Sequence, residues 1–218
     1  MDFWTNNHTK TTFYTITAHY LKDWKLVNRI LFTMEFPEHR KTVDNIKREL
    51  VTRFAELGIS PRIMKKITFT TDQGSNIVKA LKDNGNEPIN CAAHLINCAL
   101  KHGFKEDETE ELTQVTCLLE QTKNIVAYMK RTGYVFRLPL TLHQKTEVRW
   151  NSKIKMVRSV VEQFTNIRQI LEEVDQAERI EEYNLQQAEG LNEFLQPFEE
   201  AIVVLQVEKS PTLHLVPL

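Results

Sequence analysis

Lys66-Ile67-Thr68-Phe69-Thr70-Thr71-Asp72, answered further on by Cys91-Ala92-Ala93-His94, is the stretch that decides the fold of this chain. Ile67, Phe69 and Thr71 alternate with Thr68, Thr70 and Asp72, the period of a strand, so the carboxylate lies on the polar face at the strand's C-terminal end. Ile77, Val78, Ala80 and Leu81 then keep helical spacing as far as the turn-forming run Asp83-Asn84-Gly85-Asn86. A second strand is expected to close on residues 91–94. The residues before this stretch read as sheet and those after it as helix.

Upstream, Met1-Asp2-Phe3-Trp4-Thr5 reads as the end of a strand, and Asn6, Asn7, His8, Thr9 and Lys10 as a turn. Phe13 to Leu21 is rich in β-branched and aromatic residues and predicts a second strand. A turn at Lys22-Asp23 leads to a third strand from Trp24 to Phe36, with Leu26, Ile30, Phe32, Met34 and Phe36 sharing one expected buried face. Val43, Ile46, Leu50, Phe54 and Leu57 predict a helix, with Gly58 to stop it and Pro61 just beyond. The order strand, strand, strand, helix, strand, helix, strand is an α/β pattern opened by an antiparallel hairpin. RNase H-like domains have this order, with one Asp at the end of the opening strand and another at the end of the fourth; Asp2 and Asp72 occupy those places.

The bulk composition narrows the partners. Hydrophobic residues make up 41% of the 218, enough for one substantial domain or a medium one with a helical appendage. Lys and Arg number 28 against 29 Asp and Glu, so no global positive field holds nucleic acid and any such contact has to be local. Three cysteines without paired spacing suit a reducing compartment. No apolar run approaches the roughly 18 residues of a membrane span, and the start is no signal peptide, so an intracellular protein without a membrane partner is expected.

Three groups of residues carry chemistry. Asp2 and Asp72, if they face each other, suit Mg²⁺ or Mn²⁺, which take oxygen ligands and activate water for phosphodiester chemistry; Asp72 before Gly74-Ser75-Asn76 also reads as a turn residue or helix cap. Cys91, His94, Cys98 and His102 have zinc-like spacing, but on a helix His102 lies about 12 Å along the axis from His94, too far for one ion to join all four. Cys98 alone reads as core and His102 as a helix-end residue. In Arg149-Trp150-Asn151-Ser152 the indole can stack on an unpaired base while the guanidinium pairs with phosphate. The same run also reads as a Trp sealing the junction of sheet and helical region, with Ser152 capping a helix.

After Gly103 the chain is helical. Leu112, Val115, Leu118 or Leu119, Ile125 and Met129 form a stripe ending near Gly133, and Pro139 bars a regular helix from the connector 134–148. Ile154, Val157, Val161, Phe164, Ile167, Leu171 and Val174 form a second stripe. Leu191, Phe194, Leu195, Phe198, Ile202 and Leu205 form a third, with Pro197 expected to kink or restart it. The exposed faces of these helices predict self-association.

In order and spacing, Asp2-Phe3-Trp4-Thr5, Ile16-Thr17-Ala18-His19-Tyr20, Thr71-Asp72-Gln73-Gly74-Ser75-Asn76, Cys91-Ala92-Ala93-His94-Leu95, Arg149-Trp150-Asn151-Ser152 and Ser210-Pro211-Thr212-Leu213 resemble the catalytic region of hAT-superfamily transposases. The likeness is to the branch that carries BED-type zinc fingers and to host proteins domesticated from it. The resemblance implies a partial RNase H-like core over residues 1–104 and a partial helical insertion domain over 105–218, in a chain truncated at both ends. It implies DDE-type cleavage and strand transfer of DNA in the nucleus, with Asp2 and Asp72 as catalytic metal ligands and His94 beside them. Arg149 and Trp150 would be the pair at a flipped base of a transposon end. The family's third acidic residue and its dimerisation region are expected beyond Leu218, so the chain is expected to be catalytically incomplete with residual DNA contact. The other reading is a domesticated nuclear regulator acting as a protein-interaction module.

Overall fold

A computed structural model describes residues 1–6, 8–38, 40–72, 74–104, 110–144 and 150–207. The chain divides into two compact units, one from Met1 to Leu95 and one from Ile96 to Gln206. It is a mixed α/β protein with small sheets.

In the first unit, strands β1 (Asp2–Thr5), β2 (Thr12–Lys22) and β3 (Lys25–Glu35) form an antiparallel sheet in that order. Helix α1 (Val43–Glu56) starts on Thr42, whose hydroxyl accepts from the Asn45 amide, and ends before Gly58 at φ +74°. A short helix α2 (Pro61–Met64), capped by Ser60, occupies what reads in sequence as a stop. Two short strands, β4 (Thr70–Thr71) and β5 (Ile89–Asn90), run parallel around helix α3 (Ser75–Asp83). Phe3, Tyr14, Phe32, Phe36, Phe54 and Phe69 are linked through successive ring contacts of 5.4 to 6.4 Å across the core. Each such ring, when fully buried, contributes about 1.5–3 kcal/mol.

The expectation of one continuous buried face on β3 is corrected by a bulge. Ile16 pairs with Phe32 but Thr17 pairs with Ile30, so Phe32 and Ile30 point to opposite faces. Ile30 is accordingly 71% exposed. The hairpin turn is Asp23-Trp24, not Lys22-Asp23, because Lys22 and Lys25 are the last paired residues. The strand expected to close on residues 91–94 ends at Asn90. Cys91 makes one last ladder bond, its amide to the Thr71 carbonyl at 2.9 Å, and Ala92 opens helix α4 (Ala92–Gly103), as two consecutive alanines favour.

In the second unit, α5 (Glu110–Arg131) ends at Gly133, φ +78°. A 3₁₀ turn at Tyr134–Arg137 leads toward α6 (Trp150–Glu162). The stripe from Ile154 to Val174 is divided at Gln163 into α6 and α7 (Phe164–Glu173). Ser152 lies inside α6 and is not its cap. A short α8 (Glu178–Glu181) precedes α9 (Leu185–Leu205), which runs as one helix through Pro197. Leu118, Ile125, Met129, Trp150, Ile154, Val157, Ile167, Leu171 and Leu195 centre the core of this unit. Among the described residues no helix is long and apolar enough to cross a membrane.

Candidate metal and DNA site

The site expected from sequence is built on the C-terminal ends of β4 and β5. Because these strands are parallel, with Thr71 paired to Asn90, Asp72 and the segment 91–94 emerge at the same edge. Thr71 is 2% exposed and turns into the core, which leaves Asp72 half-buried on the other face, as the alternation predicts. Asp72 Oδ1 accepts the Gly74 amide at 3.2 Å and lies 3.5 Å from the Thr71 hydroxyl. The turn reading of Asp72 is therefore real, and it fixes one carboxylate oxygen without occupying the whole group.

Asp2 pairs with Thr15 and is exposed, on the opposite face of β1 from Phe3, whose ring stacks on Tyr14 at 5.4 Å. The Met1 nitrogen, just before β1, donates to the Thr70 carbonyl of β4 at 3.0 Å, while β1-β2-β3 and β4-β5 remain two separate sheets. Burial pushes the Met1 ammonium below its ordinary pKa, and Asp2, Asp72 and Cys91 all act on it in the opposite direction.

His94 lies half-buried in the first turn of α4. His102 Nδ1 is bound to the Cys98 carbonyl at 2.7 Å, one turn back on the same helix. Among the described residues there is no group of three or more His, Cys, Asp or Glu side chains placed to hold a metal ion.

No protein-family model matches the chain. It is 31% identical over 213 residues to the Transposable element Hobo transposase of Drosophila melanogaster. The alignment takes in 98% of this chain. The chain is related to the hAT-family transposases. It spans 31% of the length of that relative.

Of the pair that the hAT resemblance assigns to a flipped base, Arg149 lies outside the described residues, as do residues 210–213 of the last motif in that series. Trp150 is 4% exposed, its ring 4.6 Å from Phe104 and covered by Lys153 Nζ at 3.9 Å. Its amide donates to Asn97 Oδ1 at 3.1 Å, so a side chain of α4 caps the start of α6. In this conformation the indole is a core residue.

Two contributors escape a reading by motif. Gly74 carries a signal in its spacing from Asp72, since an Asp side chain accepts the backbone amide two residues on. Asn86 reads as a turn former, yet it is 1% exposed and its amide group holds the Met64 and Ile67 carbonyls at 2.9 and 3.0 Å, bracing the segment that leads into β4.

Proposed function

We propose that the chain is part of a DNA-cutting and DNA-joining core of hAT type, with an RNase H-like sheet and a helical insertion, acting in the nucleus on transposon-end-like DNA. The observation that carries this reading is the parallel pairing of β4 and β5, which brings Asp72 and the segment that holds His94 out at one edge. Asp2 and Asp72 would hold Mg²⁺ or Mn²⁺. Such an ion would supply Lewis-acid stabilisation of the phosphodiester and of the leaving oxygen.

The residues of the chain have separate roles in this scheme. Asp72, held by Gly74, presents its carboxylate in a fixed direction, and Asp2 is proposed as the second carboxylate. His94, on the first turn of α4, stands at the same edge and is proposed as the residue beside the two carboxylates. Arg149 is proposed as the DNA-contacting member of the pair, with Trp150 packed in the core beside Phe104.

With two carboxylates and no group of three among the described residues, the chain by itself is proposed to bind the ion weakly and to turn over poorly. The test is titration with Mn²⁺ followed by electron paramagnetic resonance, beside nicking of a hairpin-forming transposon-end DNA. Saturable Mn²⁺ uptake that Asp72→Asn abolishes supports the site. Uptake indifferent to both Asp72→Asn and Asp2→Asn removes it.

A further inference from the structure

Beyond the bulge at Ile16 and Thr17, the β2–β3 hairpin continues as a two-stranded ribbon with little of the core against it. From Thr17 to Lys22 it extends about 17 Å, at roughly 3.4 Å per residue. The pairs Ala18–Arg29, Tyr20–Val27 and Lys22–Lys25 point to one face, while Thr17–Ile30, His19–Asn28 and Leu21–Leu26 point to the other. The first face therefore carries Arg29, Lys22 and Lys25, all exposed, around Tyr20 at 46% exposure, with no carboxylate among them. Among the described residues these three cations have no carboxylate partner; Arg29 reaches only the Asn28 carbonyl, at 3.3 Å. On the second face His19 is held by Thr17 at 2.9 Å and Asn28 at 2.8 Å, which stiffens the ribbon.

The turn supplies an independent sign. Asp23 and Trp24 both have positive φ, +50° and +59°, where such turns ordinarily use Asn and Gly. A Trp in that conformation, 95% exposed, stores backbone strain and offers apolar surface to water, with no packing to offset either. Strain of this kind at an exposed aromatic tip marks a group kept for contact.

We infer that the outer half of the β2–β3 hairpin is a DNA-binding arm, laid along a duplex groove with Arg29, Lys22 and Lys25 on phosphates and the Trp24 indole at its tip against an unstacked base. A groove about 12 Å wide admits a two-stranded ribbon, and a chain with net charge -1 can hold a polyanion only through such a local cluster. Aromatic tips stack on bases whatever their sequence. The choice of DNA over another polyanion rests on the function proposed above.

Fluorescence anisotropy of a labelled duplex of about 30 base pairs, in EDTA and across a salt series, tests the arm on the whole 218-residue chain. Replacing Lys22, Lys25 and Arg29 together by Ser is expected to weaken binding at low salt by at least about 10-fold and to reduce the salt slope by roughly 2 to 3. Trp24→Gly relieves the positive φ, so it is expected to raise the melting temperature while lowering affinity for a duplex with a mismatched base.

Unchanged affinity and slope in the triple variant overturn the arm and leave the DNA-cutting reading standing. Absence of wild-type binding also overturns the arm, and the Mn²⁺ titration of Asp72→Asn then decides the other reading by itself. A dimer in sedimentation that Leu21→Ser and Ile30→Ser dissolve, with DNA affinity untouched by the charge changes, would assign the ribbon to a second copy instead.

Discussion

Asp72 and Gly74 are bound to each other by more than a turn: the carboxylate Oδ1 accepts the glycine amide at 3.2 Å, and the same oxygen lies 3.1 Å from where a β-carbon on Gly74 would stand. The absence of a side chain at Gly74 thereby sets the direction of the proposed metal ligand. Gly74→Ala keeps an ordinary backbone, φ −57° and ψ 109°, so the fold survives while the carboxylate and the Ile77 methyl at 3.2 Å have to give way. The expected result is a Mn²⁺ affinity lowered by roughly 10-fold or more, as when a group orienting a ligand is disturbed, with a melting temperature within a few degrees of wild type. Equal Mn²⁺ affinity in the two proteins would show that Asp72 is free to adjust.

The core of the first unit encloses an ionic group. The Tyr14 hydroxyl donates to the Glu49 carboxylate, which also accepts from Arg53 Nε at 2.7 Å, and Arg53 holds Glu56 at 2.9 Å as well. Tyr14→Phe should cost about 1–2 kcal/mol in urea unfolding, since Glu49 keeps Arg53. Glu49→Ala should cost more, because it strands the hydroxyl and the guanidinium together.

Alkaline pH attacks the same place. Burial, first, and then the Glu49 carboxylate raise the Tyr14 pKa above its ordinary value of 10.0, and burial raises that of Tyr183 in the second unit. A phenol whose pKa is higher folded than unfolded favours the fold while both states are protonated. That contribution is intact below about pH 10 and is lost as pH rises past it. Thermal unfolding followed from about pH 8 to 11.5 should show a falling melting temperature above about pH 10, less steep in Tyr14→Phe.

Trp150→Ala removes a ring that packs on Phe104 in the core of the helical unit. It should cost about 3–5 kcal/mol, against less than half of that for Trp150→Phe. Equilibrium unfolding by circular dichroism separates this from a role at the surface, for which both variants would be as stable as wild type.

Self-association is expected through α9, where Phe194, Val203 and Val204 are 58%, 52% and 47% exposed. Phe194 also stands beside Leu112, Val115, Leu191 and Phe198 on an apolar groove of about 660 Å³. Light scattering at increasing concentration should show growth in mass that Phe194→Glu with Val203→Glu suppresses. Constant monomer mass in the wild type would count against it.

Much of this is legible in the residues. The alternation from Ile67 to Asp72 places the carboxylate on the correct side of its strand, and the glycines at 58 and 133 end helices where periodicity ceases. The limits of β5 and the turn of the hairpin differ from the sequence expectation by a few residues, because the alanines at 92 and 93 favour the helix that ends β5 and the pairing register of Lys22 with Lys25 sets the turn. Trp150 reads in sequence as a base-stacking residue or as a seal between sheet and helical region, and the structure packs it on Phe104 within the helical unit, a partner that no local pattern records.

By itself, the sequence determined the succession of strands and helices, the absence of a global positive field, and the place of Asp72 at a strand end, because these come from local periodicity and from composition. Only the tertiary structure decided that a bulge turns Ile30 outward and that Arg29, Lys22 and Lys25 share one face of the ribbon. Each of these depends on pairing register. One extra residue, Leu31, between two pairs exchanges the faces of everything beyond it, and no local pattern in the strand records that exchange.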